Sequence, residues 1–562
     1  MTNRCLYAFN VATMYVDSST IHRNGKSYTR HLLRISFREN GKVKHKTIAN
    51  ISKCSDDEVN AIKLALKHKK NLHLLNSTSQ LKVKAVLGKR IGAVWVLRTI
   101  AQRIGLVKAL GNQRNGKLAL LQILVRVIDQ GSRLSAVRFA TKHAICEIIG
   151  IDKLDEDDLY SNLDWLHRHQ EKIEKALFRL RYPNQVPTLF LYDVTSSYLE
   201  GTCNELANWG YNRDKKRGKM QIVVGLLTGP DGLPVACRVF MGNTSDTKTV
   251  AEQVRILARI FKVKKITLVG DRGMLKGPQI EQLPDDFRFI TAITKPQILK
   301  MLEDQVIQYD LFSEKVCEVQ KDGVRYILRR NPIRAEQLAS NREQKHQKVR
   351  EFVQDRNKYL TEHKRASTDV ALRKVRAKIK SLKCDAWLKA ASKQRFISIG
   401  QDETELSKAS LLDGCYVIKS DVSGKDAETK TLHDRYCDLE NVERAFRTMK
   451  SAHLEIRPVY VRKDGRTRGH VFVVMLALLL QRELESCWKD LNLTVEEGIE
   501  ELAAIHLQDL HVGSACIQNI PEPSAIGKQL INRARVMLPQ ALPNRKANVH
   551  TKKELPSERN IN

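Results

Sequence analysis

Three carboxylates, far apart in the chain, sit where their type and surroundings suit metal-assisted chemistry. Asp193 follows Leu189, Phe190, Leu191 and Tyr192, which read as a buried strand reaching the surface. An acid at that point is costly to desolvate unless a cation or hydrogen-bond donors compensate it. Asp271 repeats the arrangement after Ile266–Val269. Either one alone also fits an ordinary strand-end turn or helix cap. Two strands delivering carboxylates to one sheet edge create a negative field suited to a divalent ion with oxygen ligands, Mg²⁺ or Mn²⁺. The third acid, Glu443, falls in a helical pattern over 436–450 whose apolar positions are Leu439, Val442, Phe446 and Met449. Four residues after Leu439 and three before Phe446, it is predicted on the packed face. Tyr436 and Lys450 each stand seven residues from it. Seven residues is close to two turns, so the three are predicted to form one column with steps of roughly 10 Å. A structural salt-bridge network is the competing reading of that column.

Other residues carry weaker signals. Lys215, Lys216, Arg217 and Lys219 form a basic run just before a strand, which reads as a DNA-backbone contact or as a solvated loop. Asp214 and Asp246 could assist a metal site, but with Asn243 they fit turn and cap positions better. Trp387 could stack on an extruded base, although packing is the commoner use of a tryptophan. Ser196, Ser197, Tyr192 and Tyr198 are recombinase-type nucleophiles in principle. No G-x-S-x-G elbow surrounds either serine, and a carboxylate triad makes such a nucleophile unnecessary. Two helical stripes around Gly131 could form a helix-turn-helix, in which Arg133, Arg138, Lys142 and His143 would contact DNA; an ordinary helical hairpin is the plainer reading.

The elements that must position these residues follow from the patterning. A basic β-rich module is predicted over 1–80, with Leu33, Ile35 and Phe37 alternating along a strand and Asn40-Gly41 marking a hairpin. A helical, DNA-binding domain is predicted over 85–185. Strands are predicted at 188–192, 221–227, 234–240, 266–269 and 287–293, with a helix before the fourth that permits a parallel crossover. Regularity stops from 296 to 431, read as an insertion of mixed β-strands and basic helices in which Leu372, Val375, Ile379 and Leu382 form a narrow stripe. The catalytic domain is thus split into 186–295 and 432–495, and 496–562 is a partly disordered C-terminal region with a short helix at 525–537.

Composition limits the partners. With 96 Lys and Arg against 63 Asp and Glu among 562 residues, the formal charge is +33. An excess of that size points to a polyanion, and nucleic acid is the first expectation. Eleven cysteines include no C-x-x-C pair, which argues against a zinc ribbon or a disulfide framework and predicts a cytoplasmic protein. The most apolar run, Val471–Leu480, is too short to cross a bilayer.

As a set, these segments carry a resemblance. LFLYDVTSSYLEG around Asp193, ITLVGDRGM around Asp271 and YCDLENVERAFRTMKS around Glu443 resemble the catalytic-acid segments of DDE transposases of bacterial insertion sequences. The third is similar to the YREK signature of insertion-sequence family four. Tyr436, Glu443 and Lys450 match it, and Leu439 stands where the signature has arginine. Arg444 or Arg447 could replace that arginine, although both are predicted to point elsewhere on the helix. GYNRDKKRGKMQIVVGL, GLPVACRVFMGNTSD and IRPVYVRKDGRTRGHVFVVMLAL resemble the subgroup with a long second-to-third acid spacing, sixteen-thirty-four.

The resemblance implies an α/β fold with an RNase H-like catalytic core and a large insertion between the second aspartate and the glutamate helix. It implies Asp193, Asp271 and Glu443 as ligands of two Mg²⁺ or Mn²⁺ ions, whose spacing in two-metal sites is about 3.5–4 Å. It implies cleavage at terminal inverted repeats and joining to target DNA by cut-and-paste, with a hairpin on the element end as the family's usual intermediate and Tyr436 and Lys450 holding phosphates. A homodimer on paired ends and association with the nucleoid complete the expectation. The alternatives are a catalytically inactive DNA-binding regulator and a DNA nuclease that cuts without joining.

Overall fold

The structure is a computed structural model that describes residues 13–23, 26–39, 42–69, 83–263, 265–272, 274–275, 286–451, 454–457, 459–512, 515–542 and 547–550. It divides into two units, Met1–Gly88 with Gln508–Asn519, and Lys89–Leu507 with Ile520–Asn562.

In the first unit, β1 (Thr13–Arg23), β2 (Lys26–Glu39) and β3 (Lys42–Asn50) form an antiparallel meander. The register pairs Glu39 with Lys42, so the β2–β3 connection is two residues long; Asn40 and Gly41 lie outside the described residues. The hairpin predicted around Asn40-Gly41 accounts for β2 and β3, and β1 is additional. The alternation of Leu33, Ile35 and Phe37 does not become a buried face, because these three and Arg34 and Ser36 are all half-buried. After the sheet, α1 (Asp56–Lys67) starts on a capping box in which Ser55 and Glu58 satisfy each other's backbone N–H. Then β4 (Val83–Arg90) joins a three-stranded sheet with the strands His506–Val512 and Ala515–Asn519.

The second unit is organised by a helix whose middle is apolar all round. Four long helices, with two short ones at Leu106–Leu110 and Ile145–Ile149 between them, come first: α2 (Gly92–Arg103), α3 (Arg114–Ile128), α4 (Arg133–Lys142) and α5 (Glu156–Arg181). Eight strands follow along the chain and build one mixed sheet. They are β5 (Leu189–Tyr198), β6 (Gln221–Thr228), β7 (Pro234–Met241), β8 (Ile266–Gly270), β9 (Phe287–Ala292), β10 (Cys317–Lys321), β11 (Val324–Arg330) and, after an excursion, β14 (Cys415–Ser420). Their spatial order is β10-β11-β14-β9-β8-β5-β6-β7. The five predicted strands are therefore β5 to β9. The crossover helix, α6 (Asp246–Arg255), returns the chain from β7 so that β8 runs parallel to β5.

Two expectations about organisation change here. The predicted helical segment 85–185 is not a separate core within this unit. Every residue of Val471–Leu480 is buried, in the helix α11 (Asp464–Trp488), and a helix buried on all sides needs a partner on each. It packs on α3 and α5 and also on β7. One apolar cluster accordingly runs from Leu121 and Leu163 through Val474 to Leu226 of the sheet. Gly469 permits this closeness, since a Cβ there would lie 2.2 Å from the Leu163 carbonyl oxygen.

The segment 296–431 is likewise only in part an insertion. β10, β11 and β14 extend the main sheet past β9 and cover an edge that would otherwise be open. Between β11 and β14 lie α7 (Pro332–Glu362), α8 (Thr368–Ser381) and the hairpin of β12 (Leu388–Lys393) and β13 (Phe396–Gln401). These have their own core, in which Leu372, Val375, Ile379 and Trp387 are buried and Leu382 packs at the margin. Trp387 meets His346 edge-on at 5.8 Å, so it packs rather than facing solvent.

Candidate active site

The parallel pairing of β5 with β8 sets Leu191 beside Val269 and Tyr192 beside Gly270. The next residue on each strand is an acid, Asp193 and Asp271. Asp271 lies just past the end of β8, whereas β5 continues five residues beyond Asp193, paired with β6. Asp193 is thus a mid-strand, half-buried residue beside the point where its parallel neighbour has ended, and not a strand-end residue.

The helix predicted over 436–450 is two helices, α9 (Thr429–Cys437) and α10 (Leu439–Lys450). They join at Asp438, which pairs with Arg435 at 3.0 Å. The three-residue column is corrected in consequence. Tyr436 reaches the site from α9, Glu443 from the middle of α10, and Lys450 turns to a different partner. Glu443 is also exposed rather than on the packed face, while Val442, Ala445, Phe446 and Met449 are buried around it. The apolar stripe predicts the buried face of α10 correctly, and Glu443 lies at its margin, where one side looks into a cleft.

That cleft, about 900 Å³, is lined by Asp193, Asp271, Glu443, Tyr436, Arg272 and Arg447, among others. Burial pushes the Asp193 carboxyl up to about 7, with Asp271 and Glu443 adding to the rise; the Val194 N–H, which donates to Asp193 Oδ1 at 2.7 Å, and Arg213 oppose it. Burial likewise raises the Tyr436 phenol, helped by the negative charge of Asp271 and Glu443. Three acids therefore share one field, in which an added cation would relieve an unfavourable concentration of charge.

Residues 184–480, more than half of the chain, match the family described as transposase DDE domain, and residues 17–74 match the IS1634 family transposase, N-terminal domain. The chain is a DDE transposase of the IS1634 type. No curated protein matches it.

Transposases of this family generally use divalent metals. The donors fit such an ion in kind, since all three are hard carboxylate oxygens, and burial, with the charges of Asp271 and Glu443 added, raises the Asp193 carboxyl in the absence of a cation. They do not form a finished cage: among the described residues no three acidic, histidine or cysteine side chains are grouped closely enough to hold a metal ion.

Several residues of the transposase occupy places that the sequence did not predict. Lys450 does not line the cleft. Its Nζ donates to Asp214 Oδ1 at 2.8 Å, and Arg457 donates to the same oxygen. Asp214 also accepts the Tyr198 backbone N–H at 3.1 Å. Its side chain is only 1 % exposed, so it is a buried anchor for two cations as well as the turn residue that was predicted. Its isolation as one acid within N-R-D-K-K-R-G-K was the available signal. Arg447, predicted to point away, lines the cleft one turn after Glu443, as an i,i+4 neighbour can. Arg444 instead bonds Asn441 at 3.3 Å. Arg272 follows Asp271 directly and was not singled out.

The remaining candidates lie elsewhere. Lys215, Lys216 and Arg217 are exposed, while Lys219 pairs with Glu200 at 2.5 Å. Lys216 lies over the Tyr198 ring at 5.7 Å. Asp246 opens α6 and pairs with Arg213 at 2.6 Å, and Asn243 is an exposed turn residue. Ser196 and Ser197 are buried, as is Tyr192. On α4, Arg133 is buried and bonded to Gln122 and His470; Arg138 is half-buried and Lys142 exposed. His143 stacks on Phe139 with centroids 3.5 Å apart. Among the described residues no helix is long and apolar enough to cross a membrane.

Proposed function

We propose that this transposase cleaves the ends of an insertion sequence and joins them to target DNA, using an RNase H-like core and a two-metal site. The observation that carries the reading is the common cleft of Asp193, Asp271 and Glu443. Asp193, Asp271 and Glu443 would hold two Mg²⁺ or Mn²⁺ ions. When bound, such ions activate water or a DNA 3′-hydroxyl and stabilise the leaving oxygen of an in-line displacement. The acids then act as ligands and not as general bases, and no covalent protein–DNA intermediate is needed.

The chain's own residues supply orientation and charge. Tyr436, held beside Asp271 and Glu443, can donate its hydroxyl to a phosphate oxygen in the cleft. Arg447 and Arg272 add positive charge on the same walls, so Arg447 takes the part of the signature arginine that Leu439 cannot play. Lys450, fixed by Asp214, lies at the C-terminal end of α10 and acts on the DNA beyond the reacting phosphate. Lys215, Lys216 and Arg217 give backbone contacts with double-stranded DNA, as does Arg138. Two copies on paired ends would bring two such sites to one target, in a complex associated with the nucleoid.

The test compares wild type with Asp193→Ala, Asp271→Ala and Glu443→Ala on DNA bearing the element's inverted repeat, with Mg²⁺. Each variant should bind that DNA and fail to cut it. Cleavage retained by any one removes that residue from the site. Cutting without joined product in wild type would favour a nuclease, and binding without cutting an inactive regulator.

A further inference from the structure

A second cavity lies in the same unit, away from the three acids. It measures about 300 Å³ and is lined by Arg126, Arg133, His470, Arg457, Glu455 and Tyr460, with the turn between α3 and α4. Its chemistry is unusual for a structural void, because its buried groups are cations. Arg126 and Arg133 are 6 % and 7 % exposed. Neither has a carboxylate within ion-pair distance among the described residues. Arg126 donates to the Gln130 carbonyl and, at 3.1 Å, to that of Gly131. Arg133 donates through Nε to Gln122 Oε1 at 2.9 Å and through Nη2 to His470 Nδ1 at 3.2 Å. Its Nη1 has no partner among the described residues.

Burial and mutual repulsion act on this group. Burial lowers Arg133 to about 9, with Arg126 contributing, and Arg126 to about 10, with Glu455 and Asp129 opposing. Burial and the two guanidinium groups hold His470 well below its usual range, hence neutral, and its Nδ1 can accept from Arg133. A buried charge is normally paired. Two that are not, facing a cavity with a free N–H, make a receptor for an anion. Arg457 lines the wall, and its Nε donates to the Lys450 carbonyl at 3.2 Å. Glu455 is the one acid in the lining; it is exposed, stands at φ +42°, and makes no ion pair among the described residues.

We infer that this cavity binds one phosphate group, with Arg133 and Arg126 as the receptor and Glu455 as an opposing charge at its mouth. The phosphate is that of a DNA backbone or a free inorganic anion, the first resting on the transposase reading above. Guanidinium forks match phosphate oxygens in geometry and charge. Through Arg457, an occupied cavity would bear on Lys450, linking DNA held here to the end of α10.

The probe is inorganic phosphate, added to full-length protein at matched ionic strength against chloride. Phosphate should raise the melting temperature of wild type more than chloride does. Glu455→Gln, a change to an exposed side chain, should bind phosphate several-fold more tightly, and Arg133→Gln should abolish the effect. In the DNA arm, the slope of log affinity against log salt should fall in magnitude by about 0.9 in Arg133→Gln, the value for one lost phosphate contact. A phosphate effect with an unchanged DNA slope assigns the site to free phosphate. No phosphate effect in either wild type or Glu455→Gln overturns the proposal. Neither arm requires DNA cleavage, so a failed cleavage assay would count against the proposed function and leave this result standing.

Discussion

Asp214 offers the sharpest test of how the site is held. Its side chain is 1 % exposed and faces Lys450 at 12 % and Arg457 at 31 %. Removing one partner of a buried ion pair leaves an uncompensated charge and costs about 3–5 kcal/mol. Arg457 can turn toward water, so Asp214→Asn should lie near the lower limit, about 3 kcal/mol. Lys450→Met leaves Asp214 with Arg457 and should cost less, about 1–2 kcal/mol. The double variant should then show a coupling of about 1–3 kcal/mol, the range for groups in direct contact. Urea unfolding of the DNA-free protein measures all four. A second readout follows from charge. Burial already lowers the Lys450 ammonium, and Asp214 is the group that opposes this. Without the carboxylate the amine loses its proton at lower pH. End cleavage by Asp214→Asn should therefore decline at a lower pH on the alkaline side than in wild type. Additivity within about 0.5 kcal/mol, with an unchanged pH profile, would refute the assignment of Asp214 as the residue that positions Lys450.

Three further outcomes are expected. Arg447→Gln should keep its fold and lose cleavage by one to two orders of magnitude, roughly the 1.5–3 kcal/mol of a charge-assisted bond; Arg444→Gln, measured alongside, should cleave normally. Gly469→Ala should destabilise by about 2 kcal/mol, an overpacking loss of roughly 3 reduced by the helix preference of alanine, because the added Cβ meets the Leu163 backbone and not a movable side chain; a raised urea midpoint would contradict the close packing of α5 and α11. For His143, burial lowers the ring to about 4 in the folded protein against an ordinary 6.5. The unfolded chain then binds the extra proton, so stability is lost as pH falls from about 6.5 toward 4. His143→Gln should flatten that part of the curve in denaturation at pH 7, 6 and 5.

Many of the local elements were legible in the chain itself, as were three acids that the fold brings to one cleft. Alternation, apolar runs and turn residues marked β6 to β9 almost to the residue and the first half of β5, whose second half runs on past Asp193 through polar residues. The stripe Leu439, Val442, Phe446, Met449 gave the buried face of α10. What the chain could not reveal depended on partners distant in sequence. Only tertiary pairing decides that β10, β11 and β14 cover the open edge of β9, since a strand's pattern says that it is half-buried but not against what. The burial of Arg133 and the apolar core shared by α3, α5 and α11 arise in the same way, from the demand of an all-apolar helix for neighbours on every side. Asp214 reads as a loop residue until Lys450 and Arg457, more than two hundred residues later, are folded onto it. Residue type set what chemistry was available. Long-range packing set which charges stand together and which are kept apart.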